Sequence, residues 1–448
     1  MSGELSIWLS VDNPSLSLMR PGMTFDRHLV IQRLPLTPER RIQLSPNTTE
    51  GLCSHVRTLI LILSASRSGS SMLAEALRTL PEFNHLEGEP TPHLNIAGLA
   101  YPTSGTGSDL LTEATKPALK TLDRLLTRDI WSEPQFPKTS RDILLFAERL
   151  AWRLTVQWPT EAFDFDLIHQ WTRSALSQNP SVAGSELHIE SFHLNLLREV
   201  RLVHPLVNPW YYDLPLRALT TAYGEGIVPQ GPPSEVIIEE PPFTLVRPAY
   251  PVTREQMAAK PLVIKSPSNI YRLQFFPFLF PNAHIRILHL TRHFDPCVTS
   301  MITAWESHAF HAHKMSGILR IRGTKNADRD WWKLELPPGW EITVNSSLED
   351  VCAFQWISTN RRILEVRTRG DLDSFQAKYE DLVSPDRRIQ AATHLATWLR
   401  LERPERLAEA IKNVPRVMAI RSSSRRLREN WAEDQALSET LRSLGYAR

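Results

Sequence analysis

"TLILILSASRSGSSMLAEALR", Thr58 to Arg78, passes from an unbroken apolar run to small polar residues and then to a helical pattern. The run reads as a buried strand, and Ser70 onward reads as a helix reaching about Leu80. Between them lies Ser64-Ala65-Ser66-Arg67-Ser68-Gly69, a turn of small residues with one cation. A helix N-terminus offers unpaired N–H groups and a partial positive charge, so this arrangement holds an anion such as phosphate. Gly69 lets backbone approach a ligand closely, while Ser70 and Ser71 add hydroxyl donors. The plain alternative is an ordinary strand-to-helix turn with N-caps. Two nucleotide motifs do not fit. GxxxxGK[ST] lacks its lysine here, and GxGxxG lacks all but one glycine.

A second stretch has the same design. "IRILHLTRHFDPCVTSMITAW", residues 285 to 305, reads as a buried strand ending at Arg292, then a helix capped by Asp295 with Pro296 at its first position. Ser300 follows Arg292 by eight residues on that helix. An arginine at a strand's carboxyl end and a serine on the next helix can converge on one phosphate, in the crevice where open α/β sheets bind ligands.

The whole chain sets bounds on these readings. Its 448 residues can bury a large core, and a net charge of +2 with 22% charged residues gives no nucleic-acid footprint. Cys53, Cys297 and Cys352 form no CxxC pair, which argues against a disulfide framework or a zinc site and suits a reducing cytosol. The N-terminus shows no basic segment leading into an apolar one, and no apolar run approaches the roughly 20 residues of a membrane span. A cytoplasmic protein that binds neither membrane nor nucleic acid is expected. Ten of the 34 prolines fall between Pro205 and Pro251, marking a loop-rich segment incompatible with a long helix or central strand.

Residues 1–55 read as an irregular extension with strand-like pieces, "LSIWLSV" and "RHLVIQRL". Helical spacing recurs in "TEATKPALKTLDRLLTR", "RDILLFAERLAWRLTVQW" and "SFHLNLLREVRLVH". Short strands follow at "PLVIKS" and "IRILHLT", then a helix at "LEDVCAFQWISTNRRILEV", a strand at "FQAKYE" and two terminal helices. Alternating buried strands and helices give the expected class: three-layer α/β/α with a central parallel sheet and a large, mostly helical insertion.

Five segments, taken in order, resemble the sulfotransferases that use 3′-phosphoadenosine-5′-phosphosulfate (PAPS), in the manner of the bacterial and carbohydrate branches. They are Arg67-Ser68-Gly69-Ser70-Ser71 followed by Met72, "LVIKSPSN" at 262–269, Arg292 with Ser300, "YEDL" at 379–382, and the basic "SSSRRLRENW" at 422–431. The resemblance implies PAPS as co-substrate, no metal, and a domain over 56–440 in which 94–260 forms an acceptor-side insertion. It implies that Arg67, Ser68, Gly69, Ser70, Ser71 and Met72 cradle the phosphosulfate. Arg292 and Ser300 would hold the 3′-phosphate, with Tyr379 near the adenine. Arg425 and Arg426 would complete the clamp, in competition with Arg421 and Arg428.

Small-molecule members of that family carry Lys-Thr-His, where this chain has Lys265-Ser266-Pro267. Lys265 can still stabilise the transferred group, but the base must come from elsewhere. "HLEGEPTPHL" offers Glu89-Pro90, matching a Glu-Pro of other branches, with Glu87 and His93 as reserves. A small-molecule acceptor is expected, sulfated on a hydroxyl or amine. A P-loop kinase or NTPase and a non-catalytic nucleotide-binding module are the alternatives. "HAFHAHK" places His308 and His311 at helical spacing without an evident third ligand, and "DWWKLELPPGW" either lines a pocket or packs.

Overall fold

In the computed structural model, the described residues are 27, 30, 51–134, 136–179, 187–229, 238–239, 241–310, 312–324, 328–414, 427, 431 and 434–446. A seven-stranded sheet runs through the molecule in the order β4-β3-β2-β5-β1-β6-β9. Its strands are β1 (Thr58–Leu63), β2 (Asn84–Leu86), β3 (Ile130–Pro134), β4 (Ala249–Pro251), β5 (Leu262–Lys265), β6 (His284–Thr291) and β9 (Asp373–Lys378). The pairs β2–β5, β5–β1, β1–β6 and β6–β9 are parallel. At one edge β3 pairs antiparallel with both β2 and β4, so the sheet is mixed there. The short β2, β3 and β4 escape a periodicity reading because three to five residues scarcely define a period.

The helices that matter for the site are α1 (Ser70–Arg78), α2 (Thr91–Ala97), α3 (Lys116–Asp129), α4 (Ser140–Gln157), α5 (Phe165–Ser177), α6 (Ile189–Val203), α7 (Phe294–Glu306), α8 (Leu348–Arg369), α9 (Tyr379–Val383), α10 (Arg388–Leu399), α11 (Pro404–Asn413) and α12 (Gln435–Ser443). Alternate residues of β1 feed opposite cores, as the strand's period of two demands. Leu59, Leu61 and Leu63 pack with Leu122 and Leu126 of α3 and Ile363 of α8. Ile60 and Ile62 pack with Leu73 and Leu77 of α1, Leu395 of α10 and Leu407 of α11. These two apolar layers make the three-layer α/β/α arrangement and explain why β1 reads as a continuous apolar run.

Helices α4, α5 and α6 close a core of their own around Phe146, Trp158, Trp171 and Phe192, joined by Tyr211, Tyr212 and Phe243 from the proline-rich segment. A further core unites α7, α8 and α12 with an antiparallel hairpin, β7 (Ala312–Arg320) and β8 (Asp328–Lys333). Helix α4 is started by a reciprocal Thr139–Asp142 capping box and α8 by Ser347–Asp350.

Several expectations shift. Helix α7 begins at Phe294 with His293 as its cap residue, so Asp295 lies in the first turn rather than capping. The Glu380 carboxylate supplies the missing partner, accepting the His293 N–H at 2.8 Å. Pro296 remains compatible with this frame because N–H groups of a first turn need no intrahelical acceptor. Tyr379 and Glu380 open α9 instead of ending the preceding strand. Among the described residues three helices, not two, follow β9's short α9. Of residues 1–50 only Arg27 and Val30 are described, and both are helical where a strand was expected. His308 lies beyond the end of α7 and His313 on β7, which removes the helical pairing expected of that cluster.

Candidate active site

Every parallel strand ends on the same side of the sheet, and each delivers one piece of the site there. The alignments Ile62↔Lys265, Leu63↔His289 and Thr291↔Lys378 bring those carboxyl ends level. From β2 comes Glu89, from β5 Lys265, from β1 the Ser64–Gly69 loop, from β6 Arg292, and from β9 Tyr379. Chain order reverses direction across β1, since β2 lies on one side and β6 on the other. Such a switch point is where open α/β sheets form their ligand crevice.

The loop after β1 is tightly specified. Arg67 is left-handed at φ 66° and Gly69 at φ 90°. The latter is required twice over, because a Cβ there would also overlap the Tyr379 ring. Gly69 caps α1 without a side chain, so among the described residues no cap side chain covers the helix's first N–H groups, which include those of Ser70, Ser71 and Met72. Ser64 Oγ, buried at the strand's end, has no hydrogen-bond partner among the described residues. These uncovered donors suit an anion.

The two distant motifs meet. Arg67 Nε donates to Ser300 Oγ at 3.1 Å, and Arg292 Nη1 donates to the Arg67 carbonyl at 2.8 Å. The Arg292 guanidinium also lies 4.8 Å above the Tyr379 ring, and that of Arg67 lies 4.9 Å from the Phe310 ring. Ser68 Oγ lies 3.5 Å from Cys297 Sγ, whose thiol donates to the Ser66 carbonyl at 3.1 Å. Burial pushes that thiol up to about 11, so Cys297 packs the loop and offers no thiolate.

Lys265 and Glu89 form an ion pair, each with a small part of its side chain exposed. The other candidates for a base are committed elsewhere. Glu87 is paired with Arg149, and His93 Nε2 lies 3.1 Å from Asp129 Oδ2 with both side chains fully buried. Asp129 also accepts from Arg153 Nη1 at 3.0 Å, and Arg153 pairs in turn with Glu239. Burial alone would raise the Asp129 carboxyl, but Arg153 and His93 outweigh it and hold it below the ordinary range. Gly88 sits against this group: a Cβ there would come 2.7 Å from Glu239 Oε1 and 2.9 Å from Arg153 Nη2. The Glu89 loop therefore rests on a buried charge cluster that no sequence motif announces.

Arg425, Arg426, Arg421 and Arg428 lie outside the described residues. Glu380 and Glu335 were not foreseen. The first accepts from His293 N and from the Tyr446 hydroxyl at 2.9 Å. The second, in "DWWKLELPPGW", binds Ser66 through both carboxylate oxygens. Its signal was available: a carboxylate flanked by Leu334 and Leu336 in a tryptophan-rich stretch. A cavity of about 640 Å³ between the C-terminal half of α8 and α12, and one of about 820 Å³ lined by α8 with Tyr271, Pro337 and Pro338, share no residue with this cluster. Among the described residues no His/Cys/Asp/Glu group has the arrangement to hold a metal. None of their helices is long and apolar enough to cross a membrane.

Comparison with solved structures finds similar chains. The sulfotransferase domain of the curacin biosynthetic pathway is 13% identical with a TM-score of 0.35, covering 88% of this chain and 99% of that one. STF9 from Mycobacterium avium is 13% identical at TM-score 0.35, covering 94% and 84%, and STF1 from Mycobacterium tuberculosis H37Rv is 12% identical at 0.31, covering 84% and 75%. All three are sulfotransferases. At these values none carries a residue role or a reaction across to this chain. No protein-family model matches the chain, and no curated protein matches it.

Proposed function

We propose that this protein is a sulfotransferase that moves the sulfuryl group of PAPS to a hydroxyl or amine of a small-molecule acceptor. The observation that carries the reading is the junction of Arg67, Arg292 and Ser300 at the carboxyl ends of β1 and β6, beside the Lys265–Glu89 pair. Three cations, several hydroxyls and an uncapped helix N-terminus form a donor set suited to a ligand bearing two separate phosphates.

In this reading Arg67, the Ser68 to Met72 backbone and the Ser70 and Ser71 hydroxyls hold the 5′-phosphosulfate. Arg292 and Ser300 hold the 3′-phosphate, with Arg425 and Arg426 closing over it, and Tyr379 lies by the adenine. Lys265 is placed to neutralise charge on the group in transit. The acceptor's oxygen or nitrogen attacks sulfur as the sulfur–oxygen bond to the 5′-phosphate breaks, and the acceptor proton passes to Glu89. Glu87 and His93, held by Arg149 and Asp129, are not free for that proton. Residues 94–260, whose Phe146 to Val246 part closes a core of its own and ties to the Glu89 loop through Arg153 and Glu239, shape the acceptor side.

Calorimetric titration with 3′,5′-ADP beside Mg²⁺-ATP tests the assignment. Micromolar 3′,5′-ADP binding that disappears in Arg292→Ala is expected. Tight ATP binding with no response to 3′,5′-ADP would return the loop to the kinases.

A further inference from the structure

Glu335 lies outside the five segments that carry the resemblance, yet it holds the residue from which the anion loop turns. Its side chain is buried, and the Ser66 N–H donates to Oε1 at 3.1 Å while the Ser66 hydroxyl meets Oε2. Thr359 Oγ1 lies 3.5 Å from Oε1, so its side-chain hydrogen-bond partners among the described residues are uncharged. The next residue after Ser66 is the left-handed Arg67, whose carbonyl and Nε engage Arg292 and Ser300. One carboxyl group thus stands directly behind the point where both phosphate motifs join.

We propose that Glu335 is the positioning residue of the anion loop and that its proton governs how strongly the loop holds an anion. The hydrogen bonds to Ser66 survive in either protonation state. A carboxylate accepts from both the N–H and the hydroxyl. A carboxylic acid accepts the N–H on one oxygen and donates its own proton to Ser66 Oγ from the other. Charge is what changes: ionised Glu335 places a buried negative charge beneath a site for phosphate, and like charges repel strongly where water is excluded.

Burial pushes the Glu335 carboxyl up to about 7 against the opposing pull of Ser66, and Asp109 raises it further. The other titratable groups that interact with it are Tyr271 on the turn after β5, Cys297 on α7 and Cys352 on α8. Asp109 is itself held by Arg272 at 2.9 Å. The switch therefore sits near neutral pH. This inference rests on the loop being an anion site and holds whether or not the ligand is PAPS.

The test is the pH dependence of binding, with inorganic sulfate and 3′,5′-ADP as probes, in wild type and Glu335→Gln between pH 6 and 8.5. Sulfate has no titration of its own in this range. The amide of Gln reproduces the neutral acid, accepting from Ser66 N and donating to Ser66 Oγ. Wild-type affinity for sulfate should fall with a slope approaching about one decade per pH unit above pH 7, while Glu335→Gln stays flat. For 3′,5′-ADP the ratio of the two proteins' affinities should show the same slope. Identical profiles for the two proteins would overturn the proposal. Should Glu335→Gln fail to fold, wild type titrated at pH 7.5 in buffers of different ionisation enthalpy decides. Net proton uptake on binding sulfate supports the proposal, and none refutes it. A sulfate slope without 3′,5′-ADP binding would sink the PAPS reading and leave this one standing. Binding of 3′,5′-ADP without a slope difference would do the reverse, and no binding of either probe at pH 6 would end both.

Discussion

Arg67 and Ser300, 233 positions apart, meet in a 3.1 Å hydrogen bond from guanidinium Nε to hydroxyl oxygen. The bond joins the loop of one strand to the helix after its neighbour, and so joins the two proposed phosphate positions. Ser300→Ala should weaken 3′,5′-ADP binding about tenfold, the size of one hydrogen bond to a charged group. The fold should stay intact, since Ser300 sits at the crevice. Calorimetry with a parallel melting curve checks both, and unchanged affinity would remove Ser300 from the site.

Arg292 makes more contacts and should matter more. Its Nη1 supports the strained Arg67 carbonyl, and its guanidinium plane covers Tyr379. Arg292→Ala should cost at least about a hundredfold in 3′,5′-ADP affinity, and Arg292→Lys should recover only part, because an ammonium lacks the planar fork. Full recovery by lysine would show that charge alone suffices.

In the proposed reading Glu89 and Lys265 serve the acceptor and the transfer, so their loss should spare nucleotide affinity more than turnover. Glu89→Gln is expected to lower kcat by about 10²–10⁴-fold with the 3′,5′-ADP Kd within a few fold of wild type. The two side chains are paired, so the double variant should lose less than the product of the single losses. A fully active Glu89→Gln would assign the base elsewhere.

Gly69→Ala tests the loop's geometry. A side chain there is strained at φ 90° and collides with the Tyr379 ring. The variant should lose about 1–3 kcal/mol of stability and nearly all nucleotide binding. Tyr379→Ala in the same chain should relieve the collision but not the strain, restoring part of the stability.

Acid stability has a sign that the buried groups decide. Burial holds His85 and His289 down to about 3 and His193 to about 4. Their stabilising contribution is full above the unfolded value near 6.5 and is lost as pH falls toward 3–4. Glu335 and Asp213, raised by burial to about 7 and about 6, act oppositely, stabilising most below the ordinary carboxylate value and losing that as pH rises through their folded values. Burial lowers His313 as well, so protons gained by the histidines on unfolding outnumber the two released by the carboxyls between about pH 4.5 and 6, a net uptake of at least about one, or at least ~1.4 kcal/mol per pH unit. Denaturant melts across that range should show stability falling as pH falls. A flat profile would mean that one of the histidines is charged in the folded protein.

The sequence alone determined the sheet's centre and which of the candidate residues gather at its carboxyl edge. β1, β5 and β6 are buried on both faces, so each is a continuous apolar run, and the residues just past such runs must lie at the sheet's carboxyl edge. Arg67, Lys265, Arg292 and Ser300 were legible for that reason. Tertiary structure alone decided what lies behind them. The Asp129–Arg153–Glu239 cluster under Glu89, Glu380 at the start of α7, and Glu335 beneath Ser66 come from segments 42 to 269 residues away from the residues they hold. Their partners are chosen by burial, where a charge must find a hydrogen bond or an opposite charge whatever its distance along the chain. The antiparallel edge β3–β4 was hidden for a related reason: strands so short acquire their conformation from pairing, and pairing is a property of the assembled sheet.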